Sequence, residues 1–291
     1  MNAIRRLLWI ILVPLSLSLS AQEVTLPRHA GSVRFAAIGD MGTGTTAQYE
    51  IAAKMVSIRQ QFPFDFVIML GDNIYGGNGP SDFQNKFERP YKALLDGGVK
   101  FYASLGNHDN ASEKNYKPFN MNGQPYYTYK QGSVQFFALD SNYMNPQQIT
   151  WLTKELESSR ADWKICYFHH PLYSSARFHG PSLELRTILE PLFVKNGVQV
   201  VIAGHDHVYE RLKPQNGINY FVEGAAGELR KGDLKASSQT AAGYDQDQSF
   251  LLIEISGDDL SFQAISRIGR SVDSGEIHRV PHHNESVKEA P

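Results

Sequence analysis

Five short apolar runs in this sequence each end in residues that can bind a metal ion. Four of the runs are followed directly by a glycine, which lets the chain turn sharply as it leaves a buried strand. Open α/β sheets place their binding sites at strand ends of this kind. The polar residues that follow the runs are Asp40, Asp72 to Tyr75, Asn107 to Asp109, His169 with His170, and His205 to His207. The sequence therefore predicts an α/β fold with a metal centre.

The composition indicates one large folded domain. The chain has 291 residues, 42% of them hydrophobic, and a formal net charge of -2. Residues 21–273 are predicted to form a single catalytic domain, because no linker or break in composition divides them. The polar residues 274–291 are predicted to form a flexible tail. The charge offers no general attraction to nucleic acid, so we expect no nucleic-acid partner.

Residues 1–20 have the pattern of a secretory signal peptide. Two arginines precede the apolar run 7–15, and Ser18 and Ser20 supply a small-x-small cleavage site. The apolar run is short for a membrane span, so no stable span is expected, and an uncleaved anchor is the alternative. The segment predicts an exported protein, either periplasmic or secreted.

The single cysteine, Cys166, permits no intrachain disulfide. It lies inside one of the apolar runs, where a small buried hydrophobe fits well. We interpret it as a core residue and not as a nucleophile.

The hydrophobic periodicity predicts helices and strands that alternate along much of the chain. Helices are expected at 45–60, 146–158 and 182–195. Pro191 is expected to kink or shorten the last of them. Strands are expected near 33–38, 66–70, 100–104, 165–168 and 199–203, with β pairs at 126–139 and 250–266 and a further β run at 218–222. This order suits two packed mixed sheets with helices outside.

The combined set of metal-binding residues is too large for one catalytic ion. It comprises two Asp, one Asn, one Tyr and three His. A single catalytic ion keeps an open position, so this set suits two ions, and one Asp can bridge ions about 3.5–4 Å apart. His205 and His207 are separated by one residue, so both can face one site if the chain is extended.

Five motifs follow one another along residues 33–210. They are Asp-x-Gly at 40–42, Gly-Asp-x-x-Tyr at 71–75, Gly-Asn-His-Asp at 106–109, His-x-Pro at 169–171 and Gly-His-x-His at 204–207. This set resembles the calcineurin-like metallophosphoesterase superfamily, and in particular the short, single-domain purple acid phosphatases. The resemblance implies a four-layer α/β/β/α sandwich of two mixed sheets flanked by helices. Tyr75 is the discriminating residue, because the wider superfamily generally lacks a tyrosine ligand there.

The resemblance also implies which residues would hold two metal ions. Asp40, Tyr75 and His207 would hold Fe(III); Asn107, His169 and His205 would hold a divalent ion; and Asp72 would bridge the two. The ligands of the divalent ion accept Fe, Zn or Mn. A phenolate on Fe(III) would give the colour for which the family is named.

Two further histidines, His108 and His179, are candidate catalytic residues. His108 adjoins Asn107, and His179 precedes Gly-Pro in a loop where similar small purple phosphatases carry a histidine that faces phosphate. An imidazole can titrate near neutrality and so can protonate a leaving alcohol. Arg177 could clamp phosphate oxygens but is interpreted as a surface residue, and His170 is interpreted as structural.

The predicted function is that of an exported dimetal acid phosphatase. It would hydrolyse small-molecule phosphate monoesters by in-line attack of a metal-bound hydroxide. A phosphodiesterase or nucleotide pyrophosphohydrolase on the same dimetal site is one alternative. A non-catalytic exported iron-binding protein is another, opposed by the full set of ligand positions and by both candidate histidines.

Overall fold

Two mixed β-sheets stack face to face, and helices cover the outer face of each. The structure, a computed structural model, describes residues 24–279. The expected signal peptide at 1–20 and the end of the chain after residue 279 lie outside this range. The architecture confirms the predicted four-layer α/β/β/α sandwich.

The first sheet has six strands with a parallel centre. In sheet order they are β13 (Ser271–His278), β12 (Asp259–Ser266), β11 (Ser249–Ser256), β1 (Val33–Ile38), β2 (Phe66–Leu70) and β3 (Lys100–Ser104). The strands β1, β2 and β3 run parallel, and the other three pair antiparallel. The carboxyl ends of three neighbouring strands therefore lie along one edge.

The second sheet has seven strands and the same design. Its order is β10 (Thr240–Tyr244), β8 (Tyr209–Leu212), β9 (Asn219–Glu223), β7 (Val200–Ala203), β6 (Trp163–Phe168), β5 (Val134–Ala138) and β4 (Tyr127–Gln131). The strands β5, β6, β7 and β9 are parallel. The antiparallel hairpin of β4 and β5 confirms the one predicted from the sequence.

The side chains of each central strand alternate between two cores. In β1, Phe35 and Ala37 face the second sheet, whereas Ala36 and Ile38 pack in the outer layer. The helices are α1 (Thr46–Gln61), α2 (Pro80–Phe83), α3 (Lys92–Asp96), α4 (Pro146–Ser158) and α5 (Leu183–Lys195), with a π turn at Gln84–Glu88 and 3₁₀ turns at Ala111–Asn115 and Lys117–Phe119. Between residues 24 and 279, no helix is long and apolar enough to span a bilayer.

Two expectations from the sequence are wrong. Helix α5 is not shortened at Pro191 and runs to Lys195, the end that the apolar spacing predicted, because Leu189 and Phe193 stay buried against the second sheet and this packing outweighs one lost backbone hydrogen bond. Residues 274–278, assigned to a flexible tail, form the second half of β13. They are ordered because the backbone of β13 pairs with β12 from Asp259 to Ile265.

Candidate metal centre

The carboxyl ends of parallel strands from both sheets meet at one edge of the sandwich. The backbones approach so closely that a Cβ atom on Gly39 would lie 3.2 Å from the Gly204 Cα atom. A Cβ atom on Gly106 would lie 2.3 Å from the backbone nitrogen of Asp72. These glycines therefore let the strand ends touch, which places the residues after them within reach of one another.

The sharp turns expected at the glycines fall mainly on the residues that follow them. Asp40, Asp72 and His205 have left-handed φ angles of 53°, 52° and 69°. A non-glycine residue in this region is uncommon and persists where its surroundings determine it. All three are candidate ligands, so the backbone at the metal centre is held in a conformation that aims these side chains inward.

Asp40, Tyr75 and His207 form the first group of donors. The Tyr75 Oη atom lies 3.2 Å from Asp40 Oδ1 and 3.4 Å from His207 Nε2. His207 Nε2 lies 3.4 Å from Asp40 Oδ1. The His205 backbone N–H donates to Asp40 Oδ2 at 2.7 Å, which leaves Oδ1 directed at the other two donors. These are the three residues expected to hold the trivalent ion.

Asn107, His169 and His205 form the second group. His169 Nε2 lies 2.9 Å from Asn107 Oδ1 and 3.0 Å from His205 Nδ1. The other ring nitrogen, Nδ1, lies 2.9 Å from the Leu70 carbonyl oxygen, which can only accept. His169 therefore carries its proton on Nδ1, and the Nε2 lone pair faces the other donors.

Asp72 lies between the two groups. Its Oδ1 atom is 3.5 Å from His169 Nε2 in the second group. The pKa of Tyr75 in the first group is raised mainly by burial, next by the charge of Asp40 and then by the charge of Asp72. The His108 backbone N–H donates to Asp72 Oδ1 at 2.9 Å and fixes its orientation. This position is the one that a bridging carboxylate would occupy.

The donors fit metal ions in spacing and in chemistry. Donor atoms about 2.0–2.1 Å from one ion lie roughly 3.0–3.4 Å from each other, and the separations in both groups fall close to this range. The lone pairs of His169 Nε2 and the Asn107 amide oxygen face each other at 2.9 Å, which is unfavourable unless a cation lies between them. The residues present therefore suit two ions.

The pKa shifts of the donor residues also favour the binding of positive ions at the centre. Burial, followed by the neighbouring Asp72, raises the pKa of the Asp40 carboxyl well above its usual range. Burial likewise lowers the pKa values of His169, His205 and His207. Two cations would favour the carboxylate form of Asp40 and keep the imidazoles neutral. They would therefore offset the free-energy cost of burying the Asp40 charge beside that of Asp72.

Asp109, whose role the sequence analysis missed, ties the loops after β2 and β3 together. Its Oδ1 atom accepts from the Asn73 and Ile74 backbone N–H groups at 2.7 and 3.0 Å. Its Oδ2 atom accepts from the Asn73 side chain at 2.7 Å and from the Gly106 N–H at 2.8 Å. A single carboxylate thus positions Asp72 and Asn107 through their neighbours.

Replacing Asp109 with asparagine is expected to lower the free energy of unfolding by about 3 kcal/mol, because the NH2 group that replaces one carboxylate oxygen would face buried N–H donors and cannot accept hydrogen bonds from them. Urea unfolding of the metal-free protein measures this change. The control is Asp96→Asn, an exposed carboxylate that pairs with Lys92. An Asp109→Asn midpoint equal to that of the control would contradict the assignment.

His179, the first candidate catalytic histidine, lies beside one histidine of each group of donors. Its ring centroid is 4.1 Å from that of His205 and 6.2 Å from that of His207. The Gly180 N–H donates to the buried Asp206 Oδ1 at 3.1 Å, which fixes this loop to the strand end. Burial lowers the pKa of His179, and the charge of Arg230 adds to this effect while Asp206 opposes it.

His108 and His170 flank the centre on other sides. The exposed His108 ring lies 5.0 Å from the Tyr75 ring between centroids. The His170 ring lies 4.4 Å from that of His205, and its ring nitrogens are close enough to those of His169 and His205 to share an ion. His170 therefore faces the centre, although the sequence suggested a purely structural role. Its Nδ1 atom is 2.9 Å from the Ser141 hydroxyl, which orients the ring.

Arg230 is a second residue that the sequence analysis missed. It follows β9, and its backbone N–H donates to the His207 carbonyl at 3.0 Å. Its guanidinium stacks on Phe178, the residue before His179. No motif surrounds Arg230 in the sequence, so only the fold brings it to the centre. Arg177, by contrast, is exposed, as expected.

An α/β/β/α sandwich with these donors at one edge defines a metallophosphoesterase. The sequence matches the family described as calcineurin-like phosphoesterase over residues 33–209. The chain belongs to this family and is homologous to the tartrate-resistant and purple acid phosphatases.

A mammalian relative is similar to this chain in sequence, and two solved structures share its fold. The chain is 26% identical to tartrate-resistant acid phosphatase type 5 of Rattus norvegicus, over 94% of this chain and 98% of that protein. The fold matches a purple acid phosphatase, PPD1, from yellow lupin with a TM-score of 0.73 and 19% identity, over 85% of this chain and 54% of that one. It also matches GAP50, described as the anchor in the inner membrane complex of Plasmodium, with a TM-score of 0.73 and 22% identity. This match covers 86% of this chain and 89% of that one. Fold alone therefore does not separate an enzyme from an anchor, and function must be argued from the site.

Proposed function

We propose that the protein is an exported acid phosphatase that hydrolyses small phosphate monoesters with two metal ions. The observation that carries this proposal is the arrangement of seven donors as two groups of three around Asp72. The relatives named acid phosphatases support the activity, and the pattern of residues 1–20 supports export. The activity is tested by measuring kcat/KM for a simple monoester, phenyl phosphate, across the acidic and neutral pH range.

The two groups of donors differ in charge, which supports two different ions. Asp40 and the Tyr75 phenolate would bring negative charge to Fe(III), whereas Asn107 and two imidazoles are neutral ligands for a divalent Fe, Zn or Mn ion. When bound, the two ions supply an acidified water for in-line attack and neutralise charge on the phosphoryl oxygens. The chain itself supplies the orientation of the donors and the surrounding histidines.

His179 and His108 are the groups best placed to move a proton at the leaving oxygen. Both rings lie next to donor residues, and both are exposed to the space that a substrate would enter. A protonated imidazole at either position can donate to the leaving alkoxide. Since a donor must be protonated to act, this role favours activity at acidic pH.

A phosphodiesterase or nucleotide pyrophosphohydrolase is the second candidate function. A cleft of about 500 Å³ adjoins the second group of donors and gives room for a further substituent on phosphorus. Its lining includes Asn107, His170, Tyr143 and Leu185. Parallel assays on a monoester and a diester distinguish the candidates, and a clear preference for the diester would favour the second.

Replacing Tyr75 with phenylalanine is expected to remove a visible charge-transfer band from the iron-loaded protein, because a phenyl ring cannot bind Fe(III). Metal analysis and a visible spectrum of the wild type and variant check this result. The control is Tyr49→Phe, a partly exposed tyrosine whose hydroxyl donates to the Asn85 carbonyl. A colourless iron-loaded wild type, or a Tyr75→Phe variant that keeps its colour, would contradict the iron assignment.

A further inference from the structure

One cation beside the candidate metal centre has no acidic partner in the part of the chain that the structure describes. Among residues 24–279, no carboxylate forms an ion pair with the Arg230 guanidinium, and its buried Nε atom makes no hydrogen bond. Charged groups that leave water are normally paired. An unpaired and partly buried guanidinium at the edge of a phosphate site is therefore suited to an anion from outside the chain.

Phe178 fixes the position of this cation. The guanidinium carbon of Arg230 lies 3.5 Å from the centre of the Phe178 ring, which is itself 61% exposed. The Phe178 backbone N–H donates to Asp233 Oδ1 at 3.1 Å, which holds this loop in place. A guanidinium stacked on an aromatic ring keeps its N–H edge available for an oxyanion.

A chain of ring contacts connects Arg230 to the metal centre. Phe178 meets the His179 ring edge-on at 4.6 Å, and His179 lies 4.1 Å from His205 between centroids. Arg230 is thus joined through Phe178 to the histidine that is proposed to protonate the leaving group. An anion on Arg230 would belong to the leaving part of the substrate and not to the phosphoryl group that the ions hold.

We propose that Arg230 and Phe178 form a subsite for the leaving group, which selects phosphate monoesters that carry a second oxyanion. A carboxylate or a further phosphate on the leaving group has the required chemistry. The inference rests on the proposed phosphatase function and deepens it by naming a class of substrate.

The test compares two esters that differ only in this second charge, 4-carboxyphenyl phosphate and phenyl phosphate. In Arg230→Met, the ratio of their kcat/KM values is expected to fall about tenfold relative to the wild type. Arg230→Lys keeps the charge but not the planar stacking, so an intermediate ratio is expected. Arg177→Met, which removes an exposed arginine from the same loop, is the matched control and should leave the ratio unchanged.

Calorimetry with the corresponding phosphonates, which are not hydrolysed, provides a second readout. Arg230→Met should weaken binding of 4-carboxyphenylphosphonate about tenfold more than that of phenylphosphonate. Unfolding midpoints confirm that the variants fold. The subsite is overturned, and the phosphatase function stands, under the following result. The wild type hydrolyses both esters, and Arg230→Met changes neither the ratio of their kcat/KM values nor the ratio of the two phosphonate affinities by more than twofold. If the wild type hydrolyses neither ester, both fail.

Discussion

Replacing Asp72 with asparagine is expected to remove both metal ions and to lower kcat/KM for phenyl phosphate about a thousandfold. Asp72 lies next to both groups, 3.5 Å from His169 Nε2 and close enough to Tyr75 to raise the pKa of its phenol. An asparagine keeps the shape but loses the negative charge that a bridging position requires. Metal content by mass spectrometry and steady-state kinetics measure the two effects.

The control for Asp72 lies at the other end of the strand that Asp72 follows. Asp65 precedes β2 at its opposite end and is exposed, so Asp65→Asn changes the same charge far from the centre. Asp65→Asn should leave metal content and kinetics unchanged. Two ions bound to Asp72→Asn at wild-type affinity would show that Asp72 does not bridge.

Replacing Gly106 with alanine is expected to lower the free energy of unfolding by about 3 kcal/mol. The added Cβ atom would lie 2.1 Å from Asp72 Oδ1 and 2.3 Å from the Asp72 nitrogen, so backbone would have to move. The displaced Asp72 would also fit the metal ions poorly. Urea unfolding of the metal-free protein isolates the steric cost, and metal content shows the effect on the centre.

Gly79→Ala is the matched control for Gly106. Gly79 has a φ of -75°, and a Cβ atom there would lie 3.5 Å from its nearest neighbour, the Asp82 Oδ2 atom. This substitution should change stability little. A Gly106→Ala variant as stable as Gly79→Ala would mean that the loops after β2 and β3 can move apart without loss of stability.

The regular elements could be predicted because their patterns are local. The apolar run of β2 and the helical spacing of α4 gave the observed bounds, 66–70 and 146–158. The sequence did not reveal β10, whose Thr240–Tyr244 segment alternates little in hydrophobicity and is ordered by pairing with β8. For helix α5 the apolar spacing gave the end at Lys195, whereas the expected shortening at Pro191 does not occur because the helix packs against the sheet.

The candidate ligands could be identified because each follows a strand and belongs to a short motif. The structure brings all seven together, and it places His108 and His179 beside them. Arg230 could not be found in this way, because its relation to Phe178 depends on how the segment after β9 folds back. The direction in which His170 faces likewise depends on the turn after β6.

Each group of donors draws on both sheets: Asp40 and Tyr75 meet His207, and Asn107 meets His169 and His205. Two bound ions would therefore act as cross-links, each closing a long loop of chain and fastening one sheet to the other. The sequence contains a single cysteine, so no disulfide within the chain can do this. The catalytic ions would then also stabilise the folded state of a protein that is proposed to work outside the cell.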